Sequence, residues 1–257
     1  MCGISGVYST RPAPKDALAN SIAAIAHRGP DDRGFFKSEF CSLGMCRLAI
    51  IDVQDGQQPN YNGNGEIVSV FNGEIYNFRE IRKKLEKKGY VINCSGDSAL
   101  IPYLYQEYGL DFVDHLQGMF AIAIYDDRKQ RLVLVRDRLG KKPLWYWQNK
   151  DELFFSSELK GLLALGVPKS FNHSILTEYL QFGYINAPRS PYNGVKQLEP
   201  AHILLFSQGK ISVQEYWNAS RVKQISISFE EAKHEAISLL QGAVSSRMNS
   251  ERPVGAF

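Results

Sequence analysis

The sequence predicts an α+β fold built on antiparallel sheets. Its strand-like segments come mostly as hairpins, with 120–125 and 132–135 flanking a turn at 126–130, and 144–147 and 153–156 flanking a turn at 149–151. Short turns of this kind join antiparallel strands, whereas parallel strands need long crossovers. Helical patterns fall between groups of strands rather than after each strand, and no repeat of fixed period is present. Layered sheets and helices around one core suit that pattern.

In chain order, residues 4–9 read as a short buried strand. Asp16 is placed to cap a helix carrying Leu18, Ile22 and Ile25, which ends at the turn residues His27-Arg28-Gly29-Pro30-Asp31-Asp32. Residues 34–37 and 43–52 follow as strands, 54–65 as a Gln-, Asn- and Gly-rich loop, and 66–71 as a strand running into Asn72-Gly73-Glu74. Asn77 with Glu80 three residues later predicts a capping box, and Phe78, Ile81 and Leu85 give that helix an inner face before Gly89. Its basic residues alternate with Glu80 and Glu86, which describes a solvated face rather than a nucleic-acid patch. Ser95-Gly96-Asp97-Ser98 enters a second helix with a stripe of Leu100, Ile101, Leu104, Tyr105 and Tyr108. After the two hairpins come a helix at 158–165, a helix capped by Asn172 with Ile175, Leu176 and Leu180, a Pro-rich loop at 187–191, and strands at 203–206 and 211–216.

Two units are expected: 1–217, and 218–257 as a linker helix plus the truncated start of another domain. The second begins with the capping box Ser228-Phe229-Glu230-Glu231 and an apolar stripe of Phe229, Ala232, Ala236, Leu240, Ala243 and Val244. It closes on Pro253-Val254-Gly255-Ala256-Phe257, which reads as half a strand. A helix and half a strand cannot enclose a core.

Composition narrows the function classes. Hydrophobic residues are 44% and charged residues 22% of the 257, as in an ordinary globular protein. A formal charge of +3 implies no broad field for nucleic acid or membrane. Cys2, Cys41, Cys46 and Cys94 form no Cys-x-x-Cys pair and the histidines are scattered, so no metal site is expected. No apolar run suits a signal peptide or a bilayer span, and a reducing cytoplasm is expected.

Chemistry concentrates at the start. Once Met1 is removed, Cys2 carries a thiol and an α-amine on one carbon, a nucleophile beside a base with pKa about 7.7–8.0. Acyl transfer by such a thiol needs donors for the developing oxyanion, and a side-chain amide next to a backbone N–H is what Asn72-Gly73 offers. Arg47 can clamp a carboxylate, and Glu74 and Asp97 can hold an ammonium. Each also has an ordinary use: a hairpin turn for Asn72-Gly73, a surface ion pair for Arg47 or Glu74, a helix cap for Asp97.

Their order removes the ambiguity. Cys2-Gly3-Ile4, His27-Arg28-Gly29-Pro30-Asp31, Arg47-Leu48 with Ile51-Asp52, Phe71-Asn72-Gly73-Glu74-Ile75-Tyr76-Asn77 and Asp97, followed by 116–121, 136–144 and 156–160, resemble the glutamine-hydrolysing domain of the asparagine synthetases, a class II glutamine amidotransferase. The resemblance implies a four-layer αββα N-terminal-nucleophile hydrolase sandwich with two antiparallel sheets. It implies that Cys2 forms a γ-glutamyl thioester, that Asn72 and Gly73 form the oxyanion hole, and that Arg47 binds the α-carboxylate of glutamine. Glu74 and Asp97 would bind the α-ammonium, and backbone at Leu48, Ile51 and Val53 would line the pocket. No cofactor is implied for this chain. ATP and Mg would belong to a synthetase domain, absent here, that makes asparagine from aspartate and serves as the partner of this one; a homodimer is compatible with the resemblance. Gly96-Asp97-Ser98-Ala99 departs from the family's Ser-Asp-x-Glu, and Ala201-His202 from its Gly-His. An amidotransferase serving another acceptor and a non-catalytic glutamine-binding module are the competing expectations.

Overall fold

The computed structural model describes residues 1–10 and 16–255. Among these, twelve strands form two six-stranded sheets, antiparallel at every pairing. The first sheet contains β1 (Gly3–Tyr8), β2 (Asp32–Lys37), β3 (Cys41–Arg47), β8 (Trp145–Asn149), β9 (Glu152–Ser156) and β10 (Val195–Gln197), in the order β10-β8-β9-β1-β3-β2. The second contains β4 (Asn60–Tyr61), β5 (Ile67–Ile75), β6 (Gly118–Asp126), β7 (Arg131–Arg136), β11 (His202–Ser207) and β12 (Lys210–Glu215), in the order β12-β11-β7-β6-β5-β4.

Strand alternation sorts the side chains into layers. Ile4 and Tyr8 of β1, Cys41, Leu43 and Met45 of β3, Val68 and Val70 of β5, and Ala121, Ala123 and Tyr125 of β6 meet in one core between the sheets. The opposite parity of the second sheet, Phe71, Phe120, Ile122, Val133 and Ile203, packs on α2 (Phe78–Lys87) and α3 (Ile101–Tyr108). The outer face of the first sheet packs on α1 (Ala17–Ala24) and α4 (Leu159–Ala164). The result is a four-layer helix–sheet–sheet–helix sandwich with two antiparallel sheets.

The same parity explains the site. Gly3 pairs with Cys46, so Cys2 stands opposite Arg47 at one end of the sandwich. Arg47 continues the inward series of Cys41, Leu43 and Met45, and Asn72 that of Val68 and Val70.

Several local expectations are corrected. The strand expected over 43–52 ends at Arg47, because the carbonyls of Ile51, Asp52 and Val53 turn toward the Arg47 guanidinium and Asp52 adopts a left-handed conformation with φ 54°. Asn77 precedes α2 but does not cap it: its side chain donates to His115 O and accepts from Gln117 N–H, while Glu80 pairs with Lys84. Asp16 also makes no capping bond from its side chain. Asn172 caps a short 3-10 turn, His173–Ile175, ahead of α5 (Leu176–Phe182). Of the expected apolar stripe, Ile175 is buried while Leu176 is 43% and Leu180 81% exposed. The Ser228 capping box forms as expected on α6 (Phe229–Arg247), but its apolar stripe faces outward, with Phe229 79% exposed. Residues 253–255 form no strand, and the rest of that expected half-strand, 256–257, lies outside the described residues. No helix of the described residues is long and apolar enough to cross a membrane.

Candidate active site

The strand ends open on a cavity of about 310 Å³, at the small end of the ~300–1,000 Å³ typical of small-molecule sites. Cys2, Arg47, Leu48, Ile51, Asn72, Gly73, Glu74 and Asp97 all line it. Val53 does not; its carbonyl instead accepts from Arg47 Nη1 at 3.4 Å, behind the wall.

Cys2 is held from both sides. Leu48 N–H donates to Cys2 Sγ at 3.4 Å, and the thiol points back to Leu48 O at 3.7 Å. Arg28 Nε donates to Cys2 O (2.9 Å), and Arg28 Nη1 donates to Glu158 Oε1 (2.9 Å). Ile4 N–H donates to Ser157 Oγ at 2.9 Å and Ser157 N–H to Ile4 O at 2.8 Å. Burial pushes the Cys2 thiol above its ordinary pKa, opposed by the Leu48 N–H bond and by positive charges at the terminus and Arg47. A thiol held neutral in this way needs a base to become a nucleophile.

Arg47 is buried, and its guanidinium is aimed by backbone carbonyls: Nη2 donates to Ile51 O (3.1 Å) and Asp52 O (2.5 Å). Gly56 packs against it so closely that a Cβ there would stand 2.2 Å from Arg47 Nη2. Neighbouring Asp52 sends its carboxylate to Ser95 Oγ (2.6 Å) and Gly96 N–H (2.8 Å), which fixes the turn carrying Asp97.

Asn72 is 0% exposed, and among the described residues neither its Nδ2 nor its Oδ1 has a hydrogen-bond partner. Buried amides are almost always satisfied in native interiors, so an orphan facing a cavity marks a group kept for something that enters. Gln58 pins the backbone just before it, donating from Nε2 to Phe71 O (3.2 Å) and accepting from Phe71 N–H at Oε1 (2.7 Å). At Gly73 any Cβ would meet Met119 O at 2.1 Å, so the close approach of β5 to β6 requires glycine.

Ile75 N–H donates to Asp97 Oδ2 at 2.8 Å, so Asp97 ties its turn to β5 rather than capping a helix. Burial pushes the Asp97 carboxyl up to about 6, against the Ile75 N–H bond. Burial also raises Glu74, with Lys142 the main opposing charge.

Lys142 was given no role by sequence reasoning. It is 5% exposed, lines the cavity with Cys2 and Glu74, and among the described residues its ammonium has no hydrogen-bond or ion-pair partner. Burial pulls its pKa down, and Glu74 opposes this most. The Asp137 carboxylate folds its loop by accepting the N–H groups of Phe120, Leu139, Lys141 and Lys142 at 3.0–3.2 Å. The clue lay in the stretch 136–144, whose Asp137 and Lys142 only the fold connects to the pocket. Among the described residues no group of three or more His, Cys, Asp or Glu side chains could hold a metal.

Several known proteins are similar to this chain. The chain is 35% identical over 284 residues to a putative asparagine synthetase (glutamine-hydrolyzing) 2 of Methanocaldococcus jannaschii, a match covering 100% of this chain and 54% of that protein. It is 32% identical over 265 residues to asparagine synthetase (glutamine-hydrolyzing) 3 of Bacillus subtilis, covering 100% and 43%. The chain thus spans about half the length of the curated relatives it matches. Among solved structures, the glutamine phosphoribosylpyrophosphate amidotransferase of B. subtilis shares the fold, with a TM-score of 0.63 at 16% identity over 84% of this chain and 49% of that one. Residues 1–217 match the family described as the glutamine amidotransferase domain, and to that family this chain belongs.

Proposed function

We propose that this chain hydrolyses glutamine to glutamate and ammonia through a thioester on Cys2, and that the ammonia serves asparagine synthesis in a longer protein. The unpartnered Asn72 amide, buried in the cavity that holds Cys2, carries this reading. A pocket that only binds glutamine has no need to bury an unsatisfied amide, whereas an oxyanion hole holds its donors ready for a charge that appears only during reaction.

Arg47 receives the α-carboxylate, and Glu74 and Asp97 receive the α-ammonium. With Met1 gone, the Cys2 α-amine takes the thiol proton as sulfur attacks the side-chain amide carbon. Asn72 Nδ2 and the Gly73 N–H hold the resulting oxyanion. Its collapse breaks the C–N bond, and the amine returns the proton to the departing ammonia. Water then adds to the thioester with the amine again as base, releasing glutamate and the thiol. Residues 218–257 form the linker and the start of the synthetase domain in this reading, and ATP and Mg act in that domain. The matches to longer asparagine synthetases support that assignment of the ammonia acceptor.

A diazoketone analogue of glutamine tests the nucleophile. One covalent adduct at Cys2, blocked by glutamine, is the expected product. Adducts at Cys41, Cys46 or Cys94 would overturn the assignment; Cys41 and Cys46 are buried.

A further inference from the structure

The loop that aims Arg47 is fastened from a distant part of the chain. Beyond α6, Glu251 accepts Asp52 N–H at Oε1 (2.8 Å) and Val53 N–H at Oε2 (3.1 Å), and Glu251 N–H donates to Ile50 O (3.0 Å). Every polar group of Asp52 is therefore occupied. Its N–H meets Glu251, its carbonyl meets Arg47 and Gly56 N–H (2.8 Å), and its carboxylate meets Ser95 and Gly96. Asp52 also has a left-handed φ of 54°, a conformation a non-glycine residue keeps only when its surroundings over-determine it. Without the carboxylate, the loop can relax and the carbonyls of Ile51, Asp52 and Val53 lose their convergence on one guanidinium.

We propose that Glu251 is a positioning residue for the glutamine site, fixing the 50–53 loop and through it Arg47 and the turn bearing Asp97. This rests on the reading of the cavity as a glutamine site. Residues 249–252 then act as a strap, and any event that draws them off the loop weakens glutamine capture without touching the nucleophile. Glu251 itself is exposed, so water replaces its carboxylate when it is removed and folding is preserved.

The test uses the 257-residue chain processed to Cys2, with Glu251→Ala and Glu251→Gln variants. Two charge-assisted bonds at a solvent-exposed position correspond to a shift of about 5- to 10-fold. Glu251→Ala should raise KM for glutamine by that factor and leave kcat within about twofold, and Glu251→Gln, which keeps one acceptor oxygen, should fall between. Amide hydrogen exchange at Asp52 and Val53 should accelerate, with Val70 unchanged. A parent chain without glutamine turnover would overturn the proposed function. Normal turnover in the parent with no KM change in Glu251→Ala would overturn the role of Glu251 alone, as would an equal loss in kcat.

Discussion

Replacing Asn72 with alanine should inactivate the enzyme and stabilise the protein at once. The side chain is fully buried, and among the described residues neither amide atom is partnered. An unsatisfied buried polar group costs roughly 1–3 kcal/mol, and the alanine variant no longer carries that cost. Against this stands the loss of packing, which is small because the side chain borders an existing cavity and no closed void is made. A net gain of about 1 kcal/mol corresponds to a rise in Tm of roughly 2–4 °C for a protein of this size. In the proposed mechanism the same change removes one oxyanion donor and should lower kcat by roughly 10²–10³-fold. KM should hardly move, because the bond strengthens only as charge develops. Thermal unfolding and steady-state glutamine hydrolysis on the same preparations decide it. A Tm several degrees lower with kcat intact would mean that Asn72 is an ordinary core residue.

Two other perturbations separate binding from catalysis. Gly56→Ala drives a Cβ into Arg47 Nη2 and should raise KM for glutamine at least tenfold with kcat much less affected; unchanged KM would show that Arg47 does not bind the substrate. Because the Asp97 carboxyl titrates near 6 and must be ionised to hold an ammonium, KM should climb as pH falls below about 6, by up to tenfold per unit. Asp97→Asn should bind weakly with no such slope. Since a raised carboxyl pKa means that ionisation works against folding, Asp97→Asn should also stabilise the free protein at neutral pH but not below about pH 3.8, as thermal scans at the two pH values would show.

Much of the fold was legible because it rests on period-two alternation. Val68 and Val70 against Ile67 and Phe71 already separate an inner from an outer face, and the β6–β7 hairpin does the same. The failures are places where a tertiary partner captured a side chain that local pattern assigned elsewhere. Asn77 has the right residue type and spacing for a cap, yet Gln117 and His115 claim its amide. The apolar run after Arg47 looks like continuing strand, but a buried guanidinium needs acceptors and its nearest carbonyls turn to supply them. Cys2, Arg47, Asn72 and Glu74 share inner-face parity at one end of the sandwich, whereas Gly73 has the opposite parity and Asp97 lines the same cavity from a turn. Lys142 and Glu251 reach the site through Asp137 and through the path beyond α6, contacts for which no spacing rule exists.

The most direct measurement compares glutamine hydrolysis by chains with and without Met1. Met1 lines the cavity beside Cys2, and while it is attached the Cys2 nitrogen is an amide with no basic lone pair. Intact mass should show active material beginning at Cys2. Material that retains Met1 should have the same circular dichroism spectrum and release no ammonia from glutamine. Hydrolysis by the Met1-retaining chain at the processed rate would contradict an N-terminal amine acting as the base.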